Sequence, residues 1–288
     1  MNKLGSVGIG NSNPVRIMGI LNTSPESFYK KSIKTTKKKI RDTIRMMESD
    51  GADFIDVGGM STAPYLSTII SEKLEAKRIT NAIKLIQNSS NLPISVDTCR
   101  SYVAQRAFEE GAEILNDVTG LKYDSKILKT IEKYDPSVIL CAYSNKPVLG
   151  NQIVITKKLL KQSISLAITS NISTKQIVLD PAIGFFRKTG QGPFFTKIKS
   201  DWVHRDLLIL QNLKLIKQGY PILISVSNKS FIGKILNIPN PADRLSGSLA
   251  SEVFSVINGA DIIRTHNVKE TKEVITITQR LIRTNKSL

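Results

Sequence analysis

The sequence predicts a single (β/α)8 TIM barrel of the α/β class, because strand-length apolar runs alternate eight times with helix-length amphipathic segments. An open, doubly wound sheet is the alternative architecture for the same alternation. The predicted strands lie at residues 15–22, 53–57, 94–97, 114–117, 137–142, 176–180, 221–226 and 261–264. The predicted helices lie at residues 35–50, 72–88, 101–110, 125–133, 157–170, 206–218, 241–258 and 268–284.

Length and composition favour one barrel domain. A chain of 288 residues with 41% hydrophobic residues is long and apolar enough for one barrel core. We expect this domain to span residues 15–288, after a loose lead-in of residues 1–14 that is rich in Gly, Asn and Ser. No apolar run reaches membrane-spanning length, and the start of the chain lacks the apolar core of a signal peptide. We therefore expect a cytoplasmic protein without a membrane partner.

The charge balance favours anionic ligands, since 41 Lys and Arg residues against 24 Asp and Glu residues give a formal net charge of +17. Aromatic residues make up only 6% of the chain, whereas proteins that stack on bases interleave aromatic with basic residues. We therefore expect small anionic substrates and no nucleic acid. The two cysteines, Cys99 and Cys141, form neither a disulfide framework nor a zinc signature, which fits a reducing compartment.

The densest basic cluster consists of six lysines within residues 30–39. It follows a loop at residues 23–28 that is long enough to cover the barrel mouth as a lid. The cluster predicts either a rim that attracts phosphate or the solvated face of a helix, and the sequence leaves both interpretations open.

Several predicted strands end on a carboxylate or an amide. Asp180 precedes Pro181, which cannot continue a sheet ladder, so the acid lies at the C-terminal tip of its strand. A turn aspartate is the alternative. Asn22, Asp97 and Asn116 take similar places, and the C-terminal ends of barrel strands share one rim. Together these side chains can hydrogen-bond the N–C–N edge of a pyrimidinone or pterin.

The last two predicted strands instead end on basic side chains, Lys229, Arg264 and His266. Loops after the seventh and eighth strands of this fold commonly bind phosphate. After the second strand, a glycine pair and the hydroxyl of Thr62 offer further anion contacts. The pattern predicts a rim with an acidic, amide-rich half and a cationic half. Its ligand would have a hydrogen-bonding head and an anionic tail.

The ordered motifs resemble those of the dihydropteroate synthase family within the pterin-binding superfamily. They lie at residues 17–22, 56–59, 95–98, 115–118, 179–181, 183–185, 227–233 and 264–266. The resemblance implies a transferase that joins 6-hydroxymethyl-7,8-dihydropterin diphosphate to 4-aminobenzoate in folate biosynthesis and releases diphosphate. It also implies a homodimer and Mg²⁺ bound near Asn22.

The resemblance also implies residue roles, position by position. The pterin ring would be held by Asp97, Asn116, Asp180 and Lys229, of which Asp97, Asp180 and Lys229 would be catalytic. The diphosphate would be bound by Asn22, Thr62, Arg264 and His266. The aryl amine would lie beside Phe185, with its carboxylate near Ser230.

The chain departs from the family pattern at Ala63 and Asn228, where the family usually has arginine. The loop at residues 186–205 is also longer and more basic than the resemblance leads us to expect. A phosphorylated or glycosylated amine, as in archaeal-type pathways, is therefore an alternative to 4-aminobenzoate, and sulfonamides would bind poorly. Two different functions also fit a pterin-binding barrel: a methyltransferase module acting with a corrinoid protein, and a non-catalytic pterin-binding or nucleic-acid-binding protein.

Overall fold

The computed structural model describes residues 1–10, 12–24, 36–65 and 69–284. Its twelve described strands are β1 Lys3–Leu4, β2 Val7–Gly8, β3 Arg16–Asn22, β4 Phe54–Gly58, β5 Ile94–Asp97, β6 Ile114–Asp117, β7 Ser137–Cys141, β8 Ile177–Asp180, β9 Phe186–Arg187, β10 Thr196–Lys197, β11 Leu223–Ile224 and β12 Ile262–Thr265. The α-helices are α1 Lys37–Ser49, α2 Glu72–Gln87, α3 Ser101–Glu109, α4 Ile127–Tyr134, α5 Gln152–Thr169, α6 Trp202–Gln211, α7 Leu213–Ile216, α8 Ser230–Leu236, α9 Leu245–Ile257 and α10 Val268–Thr284.

Eight parallel strands form the barrel in the order in which they follow one another along the chain. The strands from β3 to β8 pair in sequence, and β12 pairs with both β11 and β3. The ring closes through a single parallel bridge between Leu179 and Ile222. The predicted barrel is therefore confirmed, and the doubly wound alternative is wrong. Strand β11 is shorter than the predicted segment 221–226, because its contact with β8 is limited to this bridge.

Two helices begin earlier than predicted, because polar caps fix their first turns. The side chain of Asn151 accepts hydrogen bonds from Ile153 N and Val154 N and starts α5 at Gln152 rather than at residue 157. Asp201 caps α6 in the same way, so that this helix starts at Trp202 rather than at residue 206. The predicted start of the first helix at residue 35 lies outside the described residues.

The first ten residues are ordered, which differs from the loose lead-in that we expected. Strands β1 and β2 form an antiparallel hairpin, and the Ser137 hydroxyl accepts a hydrogen bond from Gly5 N at 2.9 Å. Leu4 and Ile9 are fully buried and pack among side chains from the early part of the barrel strands, including Phe54. Two apolar residues thus close the N-terminal end of the barrel, and the composition of the segment concealed them.

The basic cluster and the predicted lid are described only in part. Lys37, Lys38 and Lys39 are exposed in the first turn of α1, as a solvated helix face requires. The lysines at positions 30, 31 and 34, and the lid segment beyond Ser24, lie outside the described residues. Across the part of the chain that the structure covers, no helix is long and apolar enough to cross a membrane.

Candidate active site

All ten residues that the sequence singled out line one pocket at the C-terminal end of the barrel. They are Asn22, Thr62, Asp97, Asn116, Asp180, Phe185, Lys229, Ser230, Arg264 and His266. The parallel strands bring their tips to the same rim, as predicted. Cys141 also lines the pocket, but burial raises the pKa of its thiol well above the usual value, so it is not a ready nucleophile.

Arg264 is the centre of a charged network with Asp56, Asp97 and Asn116. We call this part of the pocket the inner end. Its Nε donates to Asp56 Oδ2 at 2.6 Å, and its Nη2 donates to Asp97 Oδ2 at 2.8 Å. Asn116 Nδ2 donates to the same Asp56 oxygen at 3.1 Å. Because β12 lies beside β3 in the closed ring, Arg264 reaches across to β4 and β5. The predicted separation into an acidic half and a cationic half is therefore wrong at this end.

Asp56 belongs to this network, although its position in the sequence predicted no role for it. It is fully buried in the middle of β4, and its Oδ1 is also buried, with no hydrogen bond to any described residue. A carboxylate in the interior of an apolar strand is costly unless it is paired, and here the pair is Arg264. An acid at a strand centre, rather than at its tip, was the signal that could have identified it.

Burial shifts the protonation of the two predicted catalytic acids. It raises the pKa of Asp97 to about 7, although the Arg264 guanidinium opposes this shift. It also raises the pKa of Asp180, where a hydrogen bond from Ala182 N at 2.7 Å acts in the opposite direction. Both acids therefore release their protons less readily than an exposed aspartate.

Burial also acts on the two bases nearest these acids. It lowers the pKa of Lys229 to about 8, although the charge of Asp180 opposes the shift. It lowers the pKa of His266 to about 3, with Arg264 adding to the effect. His266 is therefore neutral near pH 7, which corrects its placement among the cations. Its Nδ1 lies 3.0 Å from Ser227 Oγ, which also accepts the His266 backbone N–H at 3.2 Å.

A glycine makes room for the Lys229 side chain at the centre of the pocket. Gly184 has a φ of +86°, and a Cβ built on it would lie 3.0 Å from Lys229 Cδ. Beside it, Lys229 Nζ lies 4.3 Å from the centroid of the Phe185 ring. The close approach of the β8 loop to Lys229 thus depends on a residue without a side chain.

Arg187 lies with Phe185 and Ser230 in the part of the pocket that we call the outer end. From the sequence, Arg187 was predicted only as part of a basic loop. Arg187 lines the pocket, is 7% exposed and donates from Nη2 to Ser230 Oγ at 2.6 Å. Its guanidinium also stacks over Trp202, at 3.9 Å from the ring centroid. The other basic residues of this loop do not line the pocket: Lys188, Lys197 and Lys199 are exposed, and Arg205 is fully buried elsewhere.

The two positions where the resemblance predicted arginine add no charge to the pocket. Ala63 lines the pocket with a methyl group. Asn228 is buried, has a φ of +57° and contacts Ser248, whose hydroxyl accepts its backbone N–H at 2.9 Å. The backbone carbonyl of Asn228 also accepts a hydrogen bond from Arg244 Nη1 at 3.0 Å. This asparagine therefore connects the β11 loop to α9 and does not contribute to the pocket wall.

The oxygen atoms near Asn22 fit a metal that is bound together with substrate phosphate. A Cβ built on Gly58 would lie 3.6 Å from Asn22 Oδ1 and 3.9 Å from Asp97 Oδ2, so an amide oxygen and a carboxylate oxygen lie near the same glycine. Across residues 1–10, 12–24, 36–65 and 69–284, no three His, Cys, Asp or Glu side chains form a metal-binding group. Mg²⁺ commonly takes one or two protein oxygens and completes its shell with phosphate and water.

Comparison with known proteins places this site in a family. The family model described as pterin binding enzyme matches residues 18–266. The chain belongs to the pterin-binding enzyme family. It is 33% identical to the dihydropteroate synthase of Clostridium beijerinckii over 287 residues, which cover 98% of this chain and 99% of the relative. This match places the chain among the dihydropteroate synthases. The chain is therefore a transferase, as predicted.

Solved structures of the family agree with the observed fold. A dihydropteroate synthase of Coxiella burnetii, in complex with pteroic acid, is 33% identical, with a TM-score of 0.78 over 92% of each chain. A dihydropteroate synthase of Xanthomonas albilineans, with 4-aminobenzoic acid, is 27% identical, with a TM-score of 0.81 over 93% of each chain. These relatives support the synthase interpretation and not the corrinoid methyltransferase alternative. They do not test the archaeal-type amine, which stays a prediction.

Proposed function

We propose that this chain condenses 6-hydroxymethyl-7,8-dihydropterin diphosphate with 4-aminobenzoate and releases diphosphate. The observation that carries the proposal is the set of strand-end groups that share one pocket, Asp97, Asn116, Asp180 and Lys229 beside Arg264. Relatives bind pteroic acid and 4-aminobenzoic acid, which are the joined pterin–aryl group and one of its halves. We assign the inner end of the pocket to the pterin and the outer end to the aryl amine.

The inner end is suited to the pterin ring. Asp180 offers a carboxylate, Asn116 offers an amide and Lys229 offers an ammonium, so the three can satisfy donors and acceptors along the edge of a flat heterocycle. Asp97 accepts one hydrogen bond from Arg264 and presents its carboxylate to the same space. We assign catalytic positions to Asp97, Asp180 and Lys229, as the resemblance implies, because all three line the pocket beside Arg264.

The proposed reaction depends mainly on electrostatics. The bond between the pterin methylene carbon and the diphosphate oxygen breaks, and the amine nitrogen attacks that carbon and then releases a proton. The carboxylates of Asp97 and Asp180 stabilise positive charge on the pterin-methyl group as the bond breaks. Arg264 keeps N–H groups beyond its two described hydrogen bonds, and these stabilise negative charge on the departing diphosphate.

The diphosphate position lies toward Asn22, Thr62 and His266. The neutral imidazole of His266 can donate one N–H to a phosphate oxygen, and Thr62 can donate its hydroxyl. Mg²⁺, when bound near Asn22, would neutralise part of the diphosphate charge. Loss of turnover in EDTA, together with weaker diphosphate binding measured by calorimetry and recovery of both with Mg²⁺, would support this part of the proposal.

A second copy of the chain is the proposed partner. The neighbouring helices α9 and α10 expose large apolar side chains, with Phe254 at 43%, Ile257 at 53%, Ile277 at 62% and Leu281 at 65% exposure. Large apolar side chains exposed on neighbouring helices are typical of subunit interfaces. Sedimentation of the wild type as a dimer, and of Ile277→Glu as a monomer, would support a homodimer. We also propose a cytoplasmic location, where the folate pathway substrates occur.

The direct test is to incubate the protein with dihydropterin diphosphate, 4-aminobenzoate and Mg²⁺. Mass spectrometry should detect dihydropteroate, and a coupled assay should detect diphosphate in equal amounts. Release of diphosphate without a pterin–aryl product would indicate hydrolysis. Absence of both, with tight oligonucleotide binding that weakens steeply with salt, would instead favour a nucleic-acid-binding protein.

A further inference from the structure

A second group of buried charges lies behind the outer end of the pocket, where two arginines meet one carboxylate. Asp206 Oδ1 lies 3.1 Å from Arg205 Nη1, and Asp206 Oδ2 lies 3.6 Å from Arg187 Nη1. Oδ2 also accepts a hydrogen bond from Gly184 N at 3.0 Å. Arg205 and Asp206 are fully buried. The group therefore holds two positive charges against one negative charge.

The two arginines of this group differ in what their guanidinium groups face. Arg205 donates to the carbonyl oxygens of Pro181 at 2.6 Å and Ala182 at 3.1 Å, and its plane stacks on the Phe186 ring. These contacts support the turn after β8. Arg187 instead lines the pocket. The excess positive charge is therefore presented to the ligand by Arg187.

Arg264, at the inner end, is better neutralised than Arg187. Arg264 forms hydrogen-bonded ion pairs with Asp56 and Asp97, whereas the described ion pair of Arg187 is a 3.6 Å contact to a carboxylate shared with Arg205. Burial lowers the pKa of Arg187, and the charge of Asp206 opposes this effect only in part. A buried cation without a full counter-charge is costly, so an anionic ligand here would recover part of that cost.

The surroundings of Arg187 define the shape of that ligand. Phe185, Pro64 and Tyr65 also line the pocket and offer flat apolar surfaces. Ser230 Oγ, 2.6 Å from Arg187 Nη2, adds a hydroxyl that can turn toward an anion. An aromatic ring with a short anionic substituent matches these walls and donors.

We infer that Arg187 binds the carboxylate of the aryl amine and makes the enzyme selective for anionic over neutral amines. This inference rests on the proposed function and names a specificity-determining residue for it. It also favours a carboxylate directly on the ring over a phosphorylated extension, since Lys188, Lys197 and Lys199 of the same loop are exposed and do not line the pocket.

The test compares Arg187→Gln with the matched control Lys188→Gln, which removes one exposed charge from the same loop. Each protein is assayed with 4-aminobenzoate and with its neutral amide, 4-aminobenzamide. For Arg187→Gln we expect kcat/KM for the acid to fall on the order of 10- to 100-fold, mainly through KM. We expect the value for the amide, and the KM for dihydropterin diphosphate, to change less than about 3-fold. Lys188→Gln should match the wild type.

Two further measurements separate recognition from folding. Arg187→Lys keeps the charge without the planar fork, so it should recover part of the selectivity for the acid. Thermal unfolding reports whether each variant folds. Equal losses with acid and amide would overturn the inference, because they would indicate that Arg187 only supports the loop. If Arg187→Gln does not fold, a wild type that uses acid and amide equally well would also overturn it.

The inference can fail while the proposed function holds, and the reverse is also measurable. Formation of dihydropteroate by the wild type tests the function and does not involve the variants. Calorimetric binding of 4-aminobenzoate and its amide, with pterin and diphosphate present, tests Arg187 without turnover. Acid binding that is unchanged in Arg187→Gln would refute the role of Arg187 whatever the outcome of the turnover assay.

Discussion

The inner and outer ends of the pocket are built differently. At the inner end, Asp56, Asp97 and Arg264 lie on barrel strands and form hydrogen-bonded ion pairs, and Asn116 donates a further hydrogen bond to Asp56. At the outer end, Arg187 lies on the short strand β9, outside the barrel sheet, and carries a charge that the protein only partly balances. The comparison indicates that the rigid strands hold a pre-formed site for the reacting half of the substrate pair. The segment after β8 holds the charge that, on our inference, selects the second substrate.

The largest effect that we expect is on turnover at the inner end. Asp180→Asn removes the carboxylate that faces Lys229 and should lower kcat/KM on the order of 100- to 1,000-fold, because a charge that stabilises the transition state is lost. The fold should be retained, because an amide oxygen can still accept the hydrogen bond from Ala182 N. Steady-state kinetics with circular dichroism would check this prediction, and near-normal rates would remove Asp180 from the catalytic set.

The stability of the inner network should depend on Asp56. Asp56→Asn leaves Arg264 without the fully buried one of its two counter-charges, and we expect the free energy of unfolding to fall by about 3 kcal/mol. The matched control is Asp42→Asn, which removes an exposed acid on α1 and should change stability by less than about 0.5 kcal/mol. Urea unfolding measures both. Equal changes in the two variants would show that the network contributes little.

The dependence of kcat/KM on pH should also be determined by residues at the inner end. Asp97, with its pKa of about 7, must be ionised for turnover, and Lys229, with its pKa of about 8, must be protonated. We therefore expect kcat/KM to be bell-shaped, falling below about pH 7 and above about pH 8. Lys229→Arg should extend the alkaline side while the acid side stays. A wild-type profile that is flat from about pH 6 to about pH 9 would contradict both assignments.

The raised pKa of Asp97 also predicts how the stability of the protein changes with pH, and stability should fall as turnover rises. Because the pKa of Asp97 is about 7 in the fold and 3.8 as the ordinary value, the folded state binds its proton more tightly. Its contribution is therefore full below about pH 4 and is lost as the pH rises to about 7. Urea unfolding across this range should show a smaller decline in Asp97→Asn than in the wild type. Identical slopes would mean that Asp97 titrates normally.

The smallest effect that we expect concerns the outer end. Ala63→Arg adds a second cation to the pocket wall and should lower the KM for 4-aminobenzoate by about 2- to 5-fold, since the new side chain is only partly desolvated. In an Arg187→Gln background the same change should restore part of the lost selectivity for the acid. Selectivity that does not change in either background would indicate that position 63 faces away from the carboxylate.

The sequence predicted the barrel and the inner end well, because both depend on local patterns. Apolar runs that end on Asn22, Asp97 or Asp180 locate strand tips, and a closed barrel brings tips together whatever the loops do. Asp56 was missed as a site residue because it lies inside a strand. Its partner Arg264 is 208 residues away, and no local pattern identifies such a pair.

The outer end was predicted less well, because loop structure depends on contacts between distant residues. Arg187 and Arg205 fall in one predicted basic loop, and the sequence does not distinguish the arginine that lines the pocket from the one that supports a turn. The protonation of His266 depends on burial and on two neighbouring cations, so its neutrality also required the structure. Residues 1–14 illustrate the same limit, since polar composition concealed the buried Leu4 and Ile9.

The hairpin of Lys3–Leu4 and Val7–Gly8 limits where ligands can enter and leave the barrel. Because its apolar side chains shut the bottom of the barrel, ligands must enter and leave from the top. On the proposed function, the two substrates therefore share one entrance, at the C-terminal ends of the barrel strands. Dihydropteroate, once made, would leave by the entrance that admitted its precursors.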